Sequence, residues 1–92
     1  MTERERLKVD TKPVKLRIES EPYAKFLGRK YTVLIDVFDL KHKREYSLNI
    51  EPLSLSQPIH ELITAEGSLK NIEVWISKES DEKYAKYDFS IA

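Results

Sequence analysis

The sequence predicts an all-β fold with one short helix, in the order β-β-β-α-β-β, and three observations lead there. Apolar and polar residues alternate with a period of two in four separate stretches, and a fifth is densely β-branched and aromatic. One intervening stretch switches to the helical period. Proline, glycine and short polar clusters punctuate the boundaries.

Val14, Leu16 and Ile18 alternate with Lys15, Arg17 and Glu19, the pattern of a half-buried strand that Glu21-Pro22 ends. A polar connector containing aromatic residues is expected from there to Lys30, with Gly28 supplying a turn. Tyr31 to Leu40 reads as the second strand, apolar on both faces, so the pattern leaves its register open. With Val33, Ile35 and Val37 inward, Leu34 and Phe38 face out; the opposite register buries Phe38. Asp39 to Arg44 is a hairpin connection. Tyr46, Leu48 and Ile50 form the third strand, which stops at Pro52.

Leu55, Ile59, Leu62 and Ile63 then fall on one helical face. Ser56 is the expected N-cap, Pro58 belongs in the first turn, and Gly67 is the C-terminal stop. Ile72, Val74 and Ile76 alternate with Glu73, Trp75 and Ser77 in a fourth strand, leaving Trp75 outside. Ser80-Asp81-Glu82 is a turn, and Ala85, Tyr87, Phe89 and Ile91 make a fifth strand. Tyr46, Tyr87 and Phe89 share faces with aliphatic residues and are assigned to the core. A flat five-stranded sheet leaves two edges and a bare face, whereas a closed or nearly closed Greek-key barrel removes most of that exposure. Residues 1–12, charged and aperiodic, are expected to form a flexible N-terminal arm, and residues 13–92 the single domain.

Composition limits the chemistry. Ninety-two residues without cysteine make one domain that no disulfide supports and that has no thiolate for a metal or a nucleophile. Charged residues reach 35%, against roughly 25% in ordinary globular domains. With few Asn and Gln, this is the lean of proteins from hot environments. The longest apolar run falls far short of a membrane span, and no apolar signal core follows the charged N-terminus, so a cytoplasmic location is expected. His42 and His60 lack metal-ligand spacing, and Gly28 and Gly67 are too far apart for a phosphate loop. Asp36 and Asp39 leave an acid pair open, but surface carboxylates are far commoner than catalytic ones. No catalytic residue, metal ligand or cofactor is assigned, and a non-enzymatic role is expected.

The net charge is zero but polarised. Residues 1–44 carry twelve Lys/Arg and seven Asp/Glu (+5); residues 45–92 carry four and nine (−5). Such a chain can present one basic face. Between the first two strands, Tyr23, Lys25, Phe26, Arg29 and Lys30 interleave rings with cations, and Tyr31 follows. Single-stranded nucleic acid needs that combination: cations for phosphates and rings on which bases stack. A second basic cluster, Lys41-His42-Lys43-Arg44, lies in the next turn. A third, Lys78, Lys83, Tyr84 and Lys86, is diluted by Glu79, Asp81 and Glu82.

From Val14 to Ile91 the layout resembles OB-fold single-stranded nucleic-acid-binding proteins of the small archaeal and viral type. The resemblance is carried by the "FLGRKYTVLIDVFDL" entry to the second strand, the "SLSQPIHELI" helix and the closing "IEVWISKESDEKYAKYDFSI" hairpin. It implies a five-stranded Greek-key barrel that binds a strand across its second and third strands and flanking loops. Phosphates would then meet Lys15, Arg17, Lys25, Arg29, Lys30, Lys43 and Arg44, while Tyr23, Phe26 and Phe38 would stack bases of DNA or RNA. The alternative is an OB-type protein-interaction module, self-associating or a small subunit of a replication, repair or translation assembly. Trp75 would then be the partner contact.

Overall fold

The computed structural model describes residues 4–92, so the first three residues of the expected arm lie outside the described residues. Seven strands and one helix follow in the order β1 (Glu5–Arg6), β2 (Val14–Ile18), β3 (Tyr23–Leu27), β4 (Lys30–Asp39), β5 (Arg44–Asn49), α1 (Leu53–Glu66), β6 (Glu73–Lys78) and β7 (Tyr87–Ile91). The strands make one open sheet, β1-β5-β4-β2-β6-β7, with β3 also paired to β4. The expected β-rich fold with a single helix is therefore present, with two strands more than the five predicted.

The ten-residue β4 organises the sheet. One edge pairs with β5, from Leu34↔Asn49 to Asp39↔Arg44. The other edge is shared end to end: β2 pairs with its second half, Leu16↔Asp39 to Ile18↔Val37, and β3 with its first half, Tyr23↔Leu34 to Leu27↔Lys30. The connector predicted for residues 23–30 is thus a strand and a tight turn. Strands β2 and β3 are one line interrupted at Glu21-Pro22, because proline has no N–H for the ladder. Ser20 fills part of the gap, its Oγ accepting the Asp36 N–H at 2.9 Å.

Part of the N-terminal segment, from Glu5 onward, pairs with the sheet. Strand β1 runs parallel to β5 with Glu5↔Tyr46 and Arg6↔Ser47, the Leu7 N–H reaches the Ser47 carbonyl at 2.8 Å, and Val9 is buried. The edge of β5 offers backbone groups that need partners, and the segment supplies them. Two paired residues are too few to leave a periodic signal in the sequence.

Leu16, Ile18, Ile35, Val37, Leu48, Val74 and Ile76 form the core with Leu55, Ile59 and Leu62 of α1. Burying each side chain of this size stabilises the fold by roughly 1.5–3 kcal/mol. The helix begins three residues before the expected cap at Ser56. The Pro52 carbonyl accepts the Leu55 and Ser56 N–H groups at 2.9 and 2.8 Å, and no side chain caps the end. Pro58 consequently lies in the second turn, where it denies the Ser54 carbonyl its helical partner. The Ser54 hydroxyl instead accepts the Tyr87 N–H at 3.0 Å and ties β7 to the helix. Gly67 ends the helix as expected, with φ 78° and its N–H on the Ile63 carbonyl at 2.7 Å.

Ile35 and Val37 enter the core, which resolves the register of β4 and turns Phe38 outward, half-buried. Tyr46, Tyr87 and Phe89 pack partly buried against the core, as expected. Among the described residues, no helix is long and apolar enough to cross a membrane.

Candidate functional site

The β3–β4 hairpin turns through Gly28 and Arg29 alone, since Leu27 pairs with Lys30. Gly28 has φ 63°, the positive value that the first position of a type II′ loop requires and that glycine supplies without strain. Phe26 and Tyr31 are cross-strand partners with ring centroids 5.2 Å apart, tilted by 58°. They are 58% and 68% exposed, so Phe26 is not a plug for one end of the sheet. Ala24 and Val33, the next pair on that face, extend it toward the body, with Val33 38% exposed. Arg29 is exposed in the turn next to the rings, and Lys30, also exposed, follows it at the start of β4 on the alternate face. The hairpin therefore combines large apolar rings, which the core does not use, with cations beside them.

Strand alternation divides the residues that interleave in the sequence. Tyr23 and Lys25 lie on the face opposite Phe26 and Tyr31. Tyr23 covers Leu34, its register partner, which is only 2% exposed. Its hydroxyl donates to Asp36 Oδ1 at 2.6 Å. Burial first, then the Asp36 carboxylate, pushes the phenol up to about 12. Tyr23 is thereby engaged in structure and is not a free stacking platform.

The outer face of β2, β4 and β5, where the resemblance places the ligand, carries charges that are already paired. The Arg17 guanidinium lies 5.1 Å from the Phe38 ring centroid and bonds Glu19 at 3.2 Å. Lys15 pairs with Glu73 at 3.4 Å. Arg4 reaches Glu19 at 3.2 Å and Asp36 and Glu45 at 3.7 Å each. Arg17, Lys15 and Phe38 are thus occupied, and three carboxylates line the surface that a phosphate backbone would cross.

The β4–β5 turn lies at the other end of β4, about 30 Å from the hairpin tip at the usual rise per residue. Asp39 builds it: Oδ1 accepts the Lys41 and His42 N–H groups at 2.9 and 3.1 Å, and Oδ2 meets His42 Nδ1 at 2.8 Å. Burial raises the Asp39 pKa, but the hydrogen bonds from the His42 ring and from both backbone N–H groups outweigh it and hold the carboxyl below its ordinary value. Lys43 has φ 58° at the turn. Arg44 is 3.5 Å from Glu5 and 5.7 Å from the Tyr46 ring.

The structure therefore brings Phe26 together with Tyr31, which is not among the expected stacking residues, next to Arg29 in the turn, while Lys30 alternates to the opposite face of β4. It separates them from Phe38, Arg17 and Lys15 by face and from Lys43 and Arg44 by the length of β4. A sequence signal for Tyr31 exists: a glycine opening a two-residue turn sets Phe26 opposite it. Arg4 had no such signal. Tyr84, 89% exposed with Lys83 Nζ 5.5 Å from its ring, borders a groove of about 600 Å³ against Leu53 and Gln57 of the helix. Trp75 is outward as expected, 42% exposed. Among the described residues no group of His, Asp and Glu could hold a metal ion. Compared with family models, with curated proteins and with solved structures, the chain has no match.

Proposed function

We propose that this protein binds single-stranded nucleic acid, without sequence preference and without catalysis, gripping it with the β3–β4 hairpin. The exposed Phe26–Tyr31 pair, at a turn that also carries the exposed Arg29 and Lys30, carries this reading. Rings in this position cost solubility and contribute little to the core, while base stacking on each is worth about 1–3 kcal/mol. An OB-type arrangement would agree with this reading, since such folds flank their ligand with the loop between the first two long strands, the position of the hairpin between β2 and β4 here. The paired charges on the outer face restrict contact to the hairpin side and leave Lys15, Arg17 and Phe38 outside the interface.

Anisotropy of labelled oligo-dT and oligo-U at two salt concentrations tests the reading. Micromolar binding that weakens with salt is expected, because phosphate contacts release counterions. Phe26→Ala and Tyr31→Ala should each weaken it by about 1–3 kcal/mol. Absence of binding at low salt overturns the proposal.

A second reading, a protein-interaction module, is favoured by one observation. Leu53, 73% exposed, and Val33 offer apolar surface, and Leu53 borders an open groove formed with Pro22, Ile50 and Ile63. Mass that rises with concentration in the absence of nucleic acid would support it.

A further inference from the structure

A second basin opens at the far end of β4, and nothing in the hairpin reading uses it. Three stretches distant in sequence converge there around about 650 Å³: the N-terminal segment running into β2 with Lys8, Lys12 and Lys15, the β4–β5 turn with Lys41 and His42, and β6 with Trp75. Trp75 sits opposite Lys15 in the β2–β6 register and keeps 42% of its surface exposed, so an indole forms one wall.

The charge is unbalanced. The lining holds four lysines and two carboxylates, Asp10 and Asp39. Both carboxylates are hydrogen-bonded and offset part of the positive charge: Asp10 Oδ1 accepts the Lys12 N–H at 2.8 Å, and Asp39 meets the turn N–H groups through one oxygen and the His42 ring through the other. Lys15 is paired with Glu73. Among the described residues Lys8, Lys12 and Lys41 have no carboxylate within salt-bridge distance. Three like charges facing one hollow repel one another, and an anion placed among them relieves that cost.

We infer that this basin binds a phosphate attached to an aromatic base, that is, a nucleotide. Lys8, Lys12 and Lys41 hold the phosphate and Trp75 stacks the base. The phosphate requirement follows from three cations without a carboxylate partner among the described residues, and the base requirement from an exposed indole beside them. The same chemistry is offered by a free mononucleotide and by the phosphorylated end of a strand. The site lies about 30 Å from the hairpin rings at the usual strand rise and stands independently of them.

Trp75 is the only tryptophan in the chain, so its fluorescence reports on the basin directly. The titration uses full-length protein at low salt with adenosine 5′-monophosphate, adenosine, inorganic phosphate, and oligo-dT with and without a 5′-phosphate. Each is repeated in a Phe26→Ala/Tyr31→Ala background, which separates the basin from the hairpin. Saturable quenching by the mononucleotide is expected in both backgrounds. Adenosine or phosphate alone should bind about tenfold more weakly, a loss of about 1.4 kcal/mol. Lys8→Ala/Lys41→Ala should reduce mononucleotide affinity at least as much while leaving the melting temperature unchanged. A preference for the 5′-phosphorylated oligonucleotide over the mononucleotide identifies a strand end as the ligand; the reverse order identifies a free nucleotide. Absence of quenching at millimolar mononucleotide, or quenching indifferent to Lys8→Ala/Lys41→Ala, overturns the inference.

Discussion

The β3–β4 hairpin and the outer face of β2, β4 and β5 are built from the same residue types, a ring beside cations, yet they end in opposite states. On the outer face Phe38 lies under Arg17, Arg17 is held by Glu19, and Arg4 joins Glu19, Asp36 and Glu45. On the hairpin, Phe26 and Tyr31 lean on each other and stay more than half exposed. The difference comes from the carboxylates. Where acidic residues converge, cations become structure; at the hairpin, Arg29 and Lys30 meet no carboxylate among the described residues and the two rings stay exposed. Residue type alone therefore does not identify a binding surface, and the partners each residue has already acquired do.

The largest effect expected from this contrast is on stability. Leu34→Ala, beneath Tyr23 on the outer side of β4, should cost about 2–5 kcal/mol in denaturant unfolding. Phe26→Ala should cost less than about 1 kcal/mol while abolishing most oligonucleotide affinity. Equal destabilisation by the two substitutions would remove the distinction between a structural face and a ligand-facing hairpin.

Arg4→Ala comes next. It leaves Glu19, Asp36 and Glu45 without their shared cation and should cost about 1 kcal/mol, screened by solvent and reduced further by salt. Oligonucleotide affinity should not fall. A marked loss of binding in this variant would mean that the N-terminal segment belongs to the interface.

Acid should weaken the β4–β5 turn. The Asp39 carboxyl is depressed below its ordinary value of 3.8 in the folded protein. Its contribution is therefore complete above the unfolded value and is lost as pH falls through the folded one. Asp39→Asn should flatten the stability curve in that acid range, and thermal melts between neutral pH and strong acid would measure it.

The smallest effect is spectroscopic. In an alkaline absorbance titration Tyr23 should ionise late, at about 12. Because its folded value is raised, the stability it contributes is present below its ordinary value of 10 and is lost as pH rises through 12. Tyr23→Phe should delete that late component, whereas Tyr31→Phe should not.

Local patterning made much of the fold legible. The alternations at Val14–Ile18, at Tyr46–Ile50 and through Ile72–Ile76 each correspond to a strand, offset by a residue or two at the ends. The helical face of Leu55, Ile59 and Leu62 and the stop at Gly67 were equally plain, because helix period and left-handed glycine are local properties. The candidate site was half legible. Rings and cations between residues 23 and 31 stood out, but their interleaving hid a strand whose alternation sends Tyr23 and Phe26 to opposite faces.

What the sequence determined by itself, then, was a β-rich domain with one helix, the residues that fill its core and a turn rich in rings and cations. Those follow from periodicity and turn chemistry over a few neighbouring residues. Tertiary structure alone decided that Phe38 turns outward under Arg17, that Arg4 crosses to three carboxylates, and that Lys8, Lys12, Lys41 and Trp75 share one hollow. Each depends on pairing between segments tens of residues apart. The free energy of such pairing lies in the register of strands and the meeting of charges, which no short window of sequence contains.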